Sequence, residues 1–246
     1  YYVSQKTAAG CESNRTAINV TTAPLPTAPS VTSITYCLGT TASPLSASAS
    51  PGHTLNWYGT NATGGTASIT APIPTTNIVG TTTYYVSQSN NSGCESPRSA
   101  ITVTINPVPS SPVVSSLIYC QNTSALALTA SSSIGNTLNW YGTNATGGSG
   151  NASAVVASTT DTTTRSYYVS QINNTTSCES PRAKITVKIN PAPATPSVKD
   201  TAYCNNISAD TLKATSLTGH SLNWYGTSAT GGTGSSTAIK PSTATV

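Results

Sequence analysis

An internal repeat constrains this chain more than any other feature of its sequence. Two motifs recur at a nearly constant spacing, and their first residues are Tyr1, Tyr84 and Tyr167 for Tyr-Tyr-Val-Ser-Gln and Leu55, Leu138 and Leu222 for Leu-Asn-Trp-Tyr-Gly-Thr. Self-similarity at a fixed period, here about 83 residues, indicates a series of similar structural units, each the size of a small domain. The 246 residues are therefore interpreted as a tandem array rather than as one large domain.

Proline-rich segments separate the copies at 23–29, 107–112 and 191–196. Segments of this composition favour the extended polyproline II conformation and behave as short, semi-rigid spacers. The predicted domains are the end of an earlier repeat, two full repeats and the start of a further repeat, at residues 1–26, 27–108, 109–192 and 193–246. We expect the array to continue beyond both partial copies.

The strand signals predict an all-β fold. Only 7% of the residues are charged and Phe and Met are absent, whereas Thr, Ser, Asn, Gly and Pro are abundant. That composition is typical of short strands joined by many turns. Strand-like segments recur in each copy, in the first full repeat at 45–49, 55–58, 82–88 and 100–105, and no segment shows helical periodicity.

The spacing of the aromatic residues predicts an immunoglobulin-like β-sandwich. Trp57 is followed about 27 residues later by Tyr84, a layout in which a central Trp fills the space between two packed sheets. Antibody domains place a cysteine two residues after that Tyr, and this chain has Val86 and Val169 there. We therefore predict tandem immunoglobulin-like domains in which aliphatic packing replaces the inter-sheet disulfide.

Six cysteines allow two regular pairings. One stays inside the full repeats and leaves two cysteines for partners outside the chain: Cys37–Cys94, Cys120–Cys178, and Cys11 and Cys204 left over. The other crosses the joints and leaves none over: Cys11–Cys37, Cys94–Cys120 and Cys178–Cys204. A strand rise of about 3.3 Å per residue puts the cysteines of the second pattern roughly 40 Å from the joint in opposite directions, whereas a disulfide needs Cα atoms within about 7 Å. We therefore predict the first pattern, with one disulfide per repeat, which implies an oxidising compartment.

No constellation of residues predicts catalysis or a bound cofactor. The histidines, His53 and His220, occupy a turn position that holds Asn136 in the second full repeat. Each Cys-Glu-Ser motif places a glutamate three residues before an arginine, which predicts a local ion pair, as between Glu95 and Arg98. Closely spaced zinc ligands are missing, and the first full repeat has one Glu and no Asp, too few carboxylates for calcium. The chain is predicted to be neither an enzyme nor a metal-binding protein.

The charge and hydropathy patterns argue against two further classes of partner. The net charge is +4, but the basic residues are scattered and are not interleaved with aromatic residues as in nucleic-acid-binding surfaces. No apolar run approaches the ~20 residues that a membrane span requires. We predict no nucleic-acid partner and no membrane insertion of this segment.

One row of aromatic residues is a candidate binding surface. Tyr58, Tyr141 and Tyr225 directly follow the three Trp residues, and strand alternation places them on the opposite face of the sheet. If exposed there, their rings offer a stacking platform for surface glycans. Tyrosines on sheet faces also serve simple packing, and that alternative stays open.

Several motifs follow one another in the same order in both full repeats: Tyr-Cys, Leu-Asn-Trp-Tyr, Ala-Thr-Gly-Gly, Tyr-Tyr-Val-Ser-Gln and Cys-Glu-Ser-Pro-Arg. In this order they resemble the immunoglobulin-like repeats of very large surface and secreted proteins of Bacteroidota, including gliding-type adhesins. The resemblance implies export through a dedicated outer-membrane route to the cell surface or the medium. It also implies O-glycosylation of threonines that follow an aspartate, here Thr162, Thr201 and Thr211.

Together these features predict a structural repeat segment of an extracellular adhesin or cell-surface filament. Domains that each contain one internal disulfide, together with the Pro-rich joints, would form a semi-rigid stalk of roughly 40 Å per repeat. Its partners would be the neighbouring repeats, adjacent filaments through weakly charged Thr/Ser/Asn faces, and surface glycans through the tyrosine row. Two alternatives stay open, a spacer in a secreted multidomain enzyme and a carbohydrate-binding module.

Overall fold

The computed structural model describes residues 1–244 of the chain. Within them the fold is all-β, as predicted, with sixteen strands and no helix. In chain order the strands are β1 (Tyr2–Val3), β2 (Thr16–Ala17), β3 (Ser30–Val31), β4 (Ile34–Cys37), β5 (Ala47–Ser48), β6 (Thr54–Trp57), β7 (Gly80–Ser89), β8 (Ser99–Asn106), β9 (Val113–Val114), β10 (Leu117–Cys120), β11 (Ala130–Ser131), β12 (Asn136–Trp140), β13 (Thr164–Asn173), β14 (Ala183–Asn190), β15 (Ser197–Val198) and β16 (Ala214–Thr215). No helix that could cross a membrane occurs in this described part of the chain.

Close contacts divide the chain into two compact units. The first comprises Tyr1–Ser115, Leu128–Val155 and Ser166–Ile185. The second comprises Ser116–Ala127, Val156–Arg165 and the described residues from Thr186 onward. The first unit contains the whole of the first full repeat together with β9, β11, β12 and most of β13, and the second contains β10, most of β14, β15 and β16.

In the first unit, the first full repeat is built on a four-stranded sheet in the order β4-β8-β7-β6. Strand β7 pairs antiparallel with both β6 and β8, whereas β4 runs parallel to β8. The parallel register pairs Ile34 with Val103 and Cys37 with Asn106, so the two strands end at the same level. A second sheet consists of the antiparallel pair β3 and β5.

An apolar core joins these two sheets. Its buried members are Leu45, Trp57, Val86, Ile101, Val103 and Ile105. Val31 of β3 and Ala47 of β5 pack against them from the second sheet. Strand alternation produces the apolar face, because every second residue of β8 from Ile101 onward points to the same side. The predicted immunoglobulin-like sandwich is confirmed, with Trp57 in its core.

Aliphatic packing replaces the inter-sheet disulfide of antibody domains. Val86 is completely buried and lies opposite Trp57 in the register of β6 and β7. Val169 is also completely buried and lies opposite Trp140 in the second repeat. Burying one such side chain contributes about 1.5–3 kcal/mol. The sandwich is therefore stabilised at this position without a covalent bond.

The second full repeat uses the same strand pairings. In the first unit, β12 pairs antiparallel with β13, and β9 with β11. In the second unit, β10 runs parallel to β14, with Cys120 opposite Asn190. Four of these strands form one sheet in the order β10-β14-β13-β12, which matches the order β4-β8-β7-β6 of the first repeat. The partial copies contribute two short antiparallel pairs, β1 with β2 and β15 with β16.

A buried glutamine fastens each full repeat to the joint that precedes it. Gln88 of β7 is fully buried, and its Nε2 donates to the Thr27 carbonyl at 2.7 Å and to Ser50 Oγ at 3.0 Å. Its Oε1 accepts a hydrogen bond from the Ser50 amide at 2.7 Å. In the second repeat Gln171 donates to the Ser110 carbonyl at 2.6 Å. Because buried polar groups require partners, these hydrogen bonds hold the joint residue that precedes each repeat against β7 or β13.

Replacing Gln88 with alanine is expected to destabilise the first full repeat by about 2–3 kcal/mol, because the Thr27 carbonyl and the Ser50 amide lose their partner. Hydrogen exchange followed by mass spectrometry measures the effect on each repeat separately. Gln121→Ala is the matched control, since the Gln121 side chain makes a single hydrogen bond, to the Thr160 carbonyl. Equal protection losses in the two variants would contradict the anchoring role.

Candidate functional site

Each full repeat contains a cluster of aromatic, acidic and basic side chains beside the turn that follows its Trp. In the first repeat the Tyr–Glu–Arg cluster consists of Tyr58, Ser87, Glu95 and Arg98. Tyr58 directly follows β6, Ser87 lies in β7, and the other two lie in the loop between β7 and β8. The Tyr58 amide donates to the Tyr85 carbonyl at 2.9 Å, which extends the pairing with β7 past the end of β6. Three separate segments therefore meet in the cluster.

Arg98 covers the ring of Tyr58. Its guanidinium carbon lies 3.3 Å from the ring centroid. Its terminal nitrogens donate to the Asn61 carbonyl at 2.5 Å and to the Gly64 carbonyl at 2.7 Å. A planar guanidinium can stack on a ring and donate two hydrogen bonds at the same time. Arg98 therefore holds the turn of residues 61–64 against Tyr58.

Glu95 accepts hydrogen bonds from two hydroxyls. The Tyr58 hydroxyl donates to Glu95 Oε1 at 2.5 Å, and the hydroxyl of the buried Ser87 donates to the same oxygen. The bond from Ser87, and then the bond from Tyr58, lower the pKa of Glu95 below its ordinary value of 4.5. The same bond to Glu95, and then burial, raise the pKa of Tyr58 above 10. The predicted Glu95–Arg98 ion pair is wrong, because both side chains engage Tyr58 and the salt bridge found in the described residues joins Arg165 to Asp161.

The second full repeat reproduces the cluster with Tyr141, Ser170, Glu179 and Arg182. Arg182 lies 3.2 Å from the centroid of the Tyr141 ring and donates to the Asn144 and Gly147 carbonyls at 2.6 and 2.8 Å. The Tyr141 and Ser170 hydroxyls donate to Glu179. Burial, and then the hydrogen bond to Glu179, raise the pKa of Tyr141 above its ordinary value.

A glycine lets the turn fold beneath the arginine. Gly65 has a φ of +77°, and a Cβ at this position would lie 2.8 Å from Asn61 Nδ2. Gly148 has a φ of +71°, and its Cβ would lie 2.7 Å from Asn144 Nδ2. The left-handed backbone favours glycine, and a Cβ would in addition displace the asparagine side chain. These two effects explain the second glycine of the Ala-Thr-Gly-Gly motif.

The row of tyrosines is not an exposed platform. Tyr58 and Tyr141 are each 7% exposed beneath their arginines, whereas Tyr225 of the last partial copy is 46% exposed. The prediction of an exposed row is therefore wrong for both full repeats, because alternation assigns the face of the sheet but does not reveal what covers it. The donors and acceptors of the cluster are engaged with one another, so its chemistry is to fasten two loops. In residues 1–244, no group of three His, Cys, Asp or Glu side chains is placed to hold a metal ion.

A disulfide crosses the joint between the two full repeats. It joins Cys37, at the end of β4, to Cys178, in the loop between β13 and β14, with 5.5 Å between the Cα atoms. The predicted pairs Cys37–Cys94 and Cys120–Cys178 are therefore wrong, since each has one member in this bond. The disulfide links neighbouring repeats instead of closing a single one.

The direction of β4 explains this pairing. Because β4 runs parallel to β8, Cys37 is level with Asn106, the residue directly before the joint. Cys94 precedes β8, whose eight residues span about 26 Å, far more than a disulfide can bridge. Cys178 lies beyond the joint, in a loop hydrogen-bonded to the joint residue Ser111 through the carbonyl of its Pro181, at 2.9 Å. The two bonded cysteines thus face each other across the joint.

The other predicted site residues are accessible. Three cysteines carry exposed thiols and a fourth is half-buried, namely Cys11, Cys120 and Cys204, and then Cys94. All three threonines of the Asp-Thr motifs are exposed, namely Thr162, Thr201 and Thr211. Their glycosylation stays a prediction.

Sequence reasoning missed the polar residues that connect strands to loops. Besides Gln88 and Ser87, these include Ser96, whose Oγ accepts a hydrogen bond from the Gln88 amide at 3.0 Å. The signal for them was present, since Tyr-Tyr-Val-Ser-Gln and Cys-Glu-Ser occur unchanged in all three copies that contain them. A polar residue retained in every copy at a strand position indicates a buried hydrogen bond.

Replacing Arg98 with lysine is expected to lower the free energy of unfolding of the first repeat by about 1–2 kcal/mol, because an ammonium cannot stack flat and donate in a fork. Amides of residues 59–65 should also exchange faster, since the turn loses two carbonyl contacts. Urea unfolding and hydrogen exchange measure the two effects. Arg165→Lys, which alters a surface ion pair, is the control and should cost little. If the two variants behave alike, the cluster does not hold the turn.

The first repeat is expected to lose stability as the pH falls below 4.5. Because the pKa of Glu95 is lower in the folded state, its contribution is present above the unfolded value and is lost as the pH falls through the folded value. Glu95→Gln should remove that part of the pH dependence. Its contribution to the free energy of unfolding is less than about 1 kcal/mol, because Glu95 is exposed. Urea unfolding from about pH 5 to about pH 3 tests this, with Asp210→Asn as the control. If the free energy of unfolding falls equally with pH in the wild type and in Glu95→Gln, Glu95 does not contribute to the pH dependence.

Several solved structures are similar to this chain at low sequence identity. The Clostridium thermocellum CbhA fibronectin(III)-like modules share 16% identity at a TM-score of 0.34, over 65% of this chain and 91% of theirs. Extracellular domains 3–5 of Drosophila OTK share 15% identity at a TM-score of 0.28, over 76% of this chain and 69% of theirs. Immunoglobulin domains 1–4 of Sidekick-1 share 11% identity at a TM-score of 0.25, over 76% of this chain and 57% of theirs. Curated proteins gave no match.

A family match is more specific than these structural similarities. The family described as "Ig-like domain CHU_C associated" matches residues 26–107 and again residues 109–191. The two segments make up more than half of the chain and contain the buried Trp57 and Trp140. The resemblance to immunoglobulin-like repeats is thereby confirmed. The chain belongs to the family of Ig-like domains described as CHU_C associated, in two tandem copies.

Proposed function

We propose that this chain is a structural segment of an extracellular adhesin or cell-surface filament, in which disulfide-linked repeats form a semi-rigid stalk. Tandem immunoglobulin-like domains support a structural repeat or spacer role, and repeats of this kind are generally non-catalytic. The stalk, the surface location and the adhesive role are the further steps of the proposal.

The disulfide across the joint is the observation that supports the proposal most directly. The polypeptide passes from the first full repeat to the second through residues 107–112, and Cys37–Cys178 adds a second covalent connection between the same two repeats. One flexible tether leaves two domains free to rotate, whereas two tethers restrict rotation about the joint. The prolines of the joint restrict it further, since each fixes its own φ.

The buried glutamines support the same mechanism from inside each repeat. Gln88 holds the carbonyl of Thr27, and Gln171 holds the carbonyl of Ser110. Each contact ties the last part of a joint to the central strand of the repeat that follows. Bending at the joint would therefore break a buried hydrogen bond, which costs about 1–3 kcal/mol.

The surface composition supports a role in association outside the cell. Only 7% of the residues are charged, so weakly charged faces approach one another without strong repulsion. In this proposal the partners are neighbouring repeats, adjacent filaments and surface glycans, and the exposed Thr162, Thr201 and Thr211 are O-glycosylated. The disulfide supports the proposed extracellular location, because such bonds persist in oxidising compartments.

Electron microscopy of the native, full-length protein released from cells tests the proposal. We expect a long, uniform thread with beads about 40 Å apart, the length estimated from the strand rise. Reduction followed by alkylation should broaden the distribution of angles between neighbouring beads, whereas alkylation alone, the control, should not. A short stalk that ends in a compact head would overturn the filament proposal and assign the repeats to a spacer in a larger secreted protein.

A further inference from the structure

The six cysteines form two sets of equivalent positions. The cysteines of the first set end a Tyr-Cys motif and are Cys37, Cys120 and Cys204. Those of the second set begin a Cys-Glu-Ser motif and are Cys11, Cys94 and Cys178. The disulfide joins a cysteine of the first set to the cysteine of the second set that belongs to the next repeat along the chain.

We propose that Cys94 and Cys120 are covalent attachment sites for further repeats of the same array. Cys120 bonds the Cys-Glu-Ser cysteine of the repeat that follows the second full repeat. Cys94 bonds the Tyr-Cys cysteine of the repeat that precedes the first full repeat. Every repeat is then linked to the repeat before it through one cysteine and to the repeat after it through the other. This pairing does not depend on whether the array is an adhesin, a filament or a spacer.

Cys120 is placed in its repeat as the bonded Cys37 is placed in the first. It ends β10, which runs parallel to β14, and it lies opposite Asn190, as Cys37 lies opposite Asn106. The amide of the next residue donates to that asparagine carbonyl at 2.8 Å in both repeats. Cys120 therefore presents its exposed thiol level with the last residue before the joint at 191–196.

Cys94 is placed as the bonded Cys178 is placed in the second repeat. In both loops the cysteine carbonyl accepts a hydrogen bond from the amide of an asparagine, Asn90 at 3.1 Å and Asn173 at 2.9 Å. Cys94 Sγ lies 3.9 Å from the Ala23 carbonyl oxygen, in the joint that precedes the first full repeat. The Cys94 thiol is therefore presented to the preceding repeat, the position from which Cys178 reaches Cys37.

No cysteine inside the first repeat is available to Cys94. Cys37 is bonded to Cys178, and the length of β8, about 26 Å, separates it from Cys94. A disulfide requires Cα atoms within about 7 Å. The partner of Cys94 must therefore come from across the joint, where the preceding repeat would end its own first long strand in a Tyr-Cys motif.

Formation of each bond is a two-electron oxidation. Two thiols lose two protons and two electrons as one S–S bond forms, and the electrons reduce the disulfide of a thiol-oxidoreductase oxidant to a dithiol. The exchange proceeds by thiolate attack on that oxidant disulfide, through a mixed disulfide that the second cysteine resolves.

These bonds create a covalent path that bypasses most of the array. The path enters along the chain from Cys11 to Cys37, crosses the disulfide to Cys178 and continues along the chain to Cys204. The two chain segments of this path are equal in length. Residues 38–177, between the bonded cysteines, lie outside the path.

A second path of the same kind runs beside the first. It contains the chain segment from Cys94 to Cys120, which has the same length as those of the first path, and continues through the proposed bonds. Fully extended, a segment of about 26 residues spans about 86–94 Å, close to two folded repeats of about 40 Å each. The array is therefore nearly inextensible, because tension reaches the limit of the covalent path before the repeats unfold.

Peptide mapping of the native, full-length protein tests the proposed bonds. Free thiols are alkylated first, and the protein is then digested without reduction and analysed by mass spectrometry. We expect Cys120 linked to a Cys-Glu-Ser peptide of the following repeat and Cys94 linked to a Tyr-Cys peptide of the preceding one. The Cys37–Cys178 peptide is the positive control. Alkylated Cys94 and Cys120, or a peptide that joins Cys94 to Cys120, would overturn the proposal.

Single-molecule pulling of the same protein measures the mechanical consequence. Reduction should release about 500 Å of contour length for every two repeats, from the sequence separation of 141 between the bonded cysteines. The same protein pulled without reductant is the control and should release almost none. Equal contour lengths in both conditions would refute the covalent bypass. The electron-microscopy test is separate, since a spacer with a globular head can still have these bonds.

Discussion

The parallel pairing of β4 with β8 determines where the chemistry of each repeat is placed. Since β4 shares its direction with the last strand, the end of β4 lies level with Asn106, at the exit of the repeat. The loop between β7 and β8 then lies at the opposite end, where Cys94 approaches the entry joint. Each repeat thus has one cysteine at its exit and one at its entry. Bonding between consecutive repeats follows from this polarity, and bonding inside a repeat is excluded by it.

Polar connections compensate for a small apolar core. The core of the first repeat has one Trp and otherwise branched aliphatic residues, because the chain lacks Phe and Met. Gln88 ties the entry joint to β7, and Arg98 ties the turn after Trp57 to the loop before β8. These contacts lie at the ends of strands, where small sandwiches otherwise fray. In the chain-entropy model, a loop of the size that Cys37–Cys178 closes contributes about 5 kcal/mol.

The sequence predicted the features that depend on local pattern. The period, the proline joints and the strand alternation are all expressed in residues a few positions apart or in simple repetition. The aliphatic packing of Val86 near Trp57 was predicted from the spacing that immunoglobulin-like domains share. Features that depend on non-local pairing were not predicted. The strand-length argument correctly kept Cys94 and Cys120 too far apart to bond. The same length of β8 also keeps Cys94 too far from Cys37. That second distance follows only if β4 runs parallel to β8, a pairing that the sequence does not reveal. In the same way, alternation placed Tyr58 on the outer face, whereas its cover comes from Arg98, which lies beyond β7 in the sequence.

The two proposed covalent paths pass through β4 and β8 of the first repeat, one strand in each path. Because each path is continuous, a strand that lies in it is pulled at both of its ends, and tension passes along its backbone to the next covalent bond. The four register pairs of these strands, from Ile34–Val103 to Cys37–Asn106, therefore do not have to transfer load from one strand to the other. If each strand were loaded at one end only, and the two at opposite ends, the same tension would shear the hydrogen bonds between them. In the proposed array covalent bonds, rather than the hydrogen bonds of the sheet, thus carry the tension.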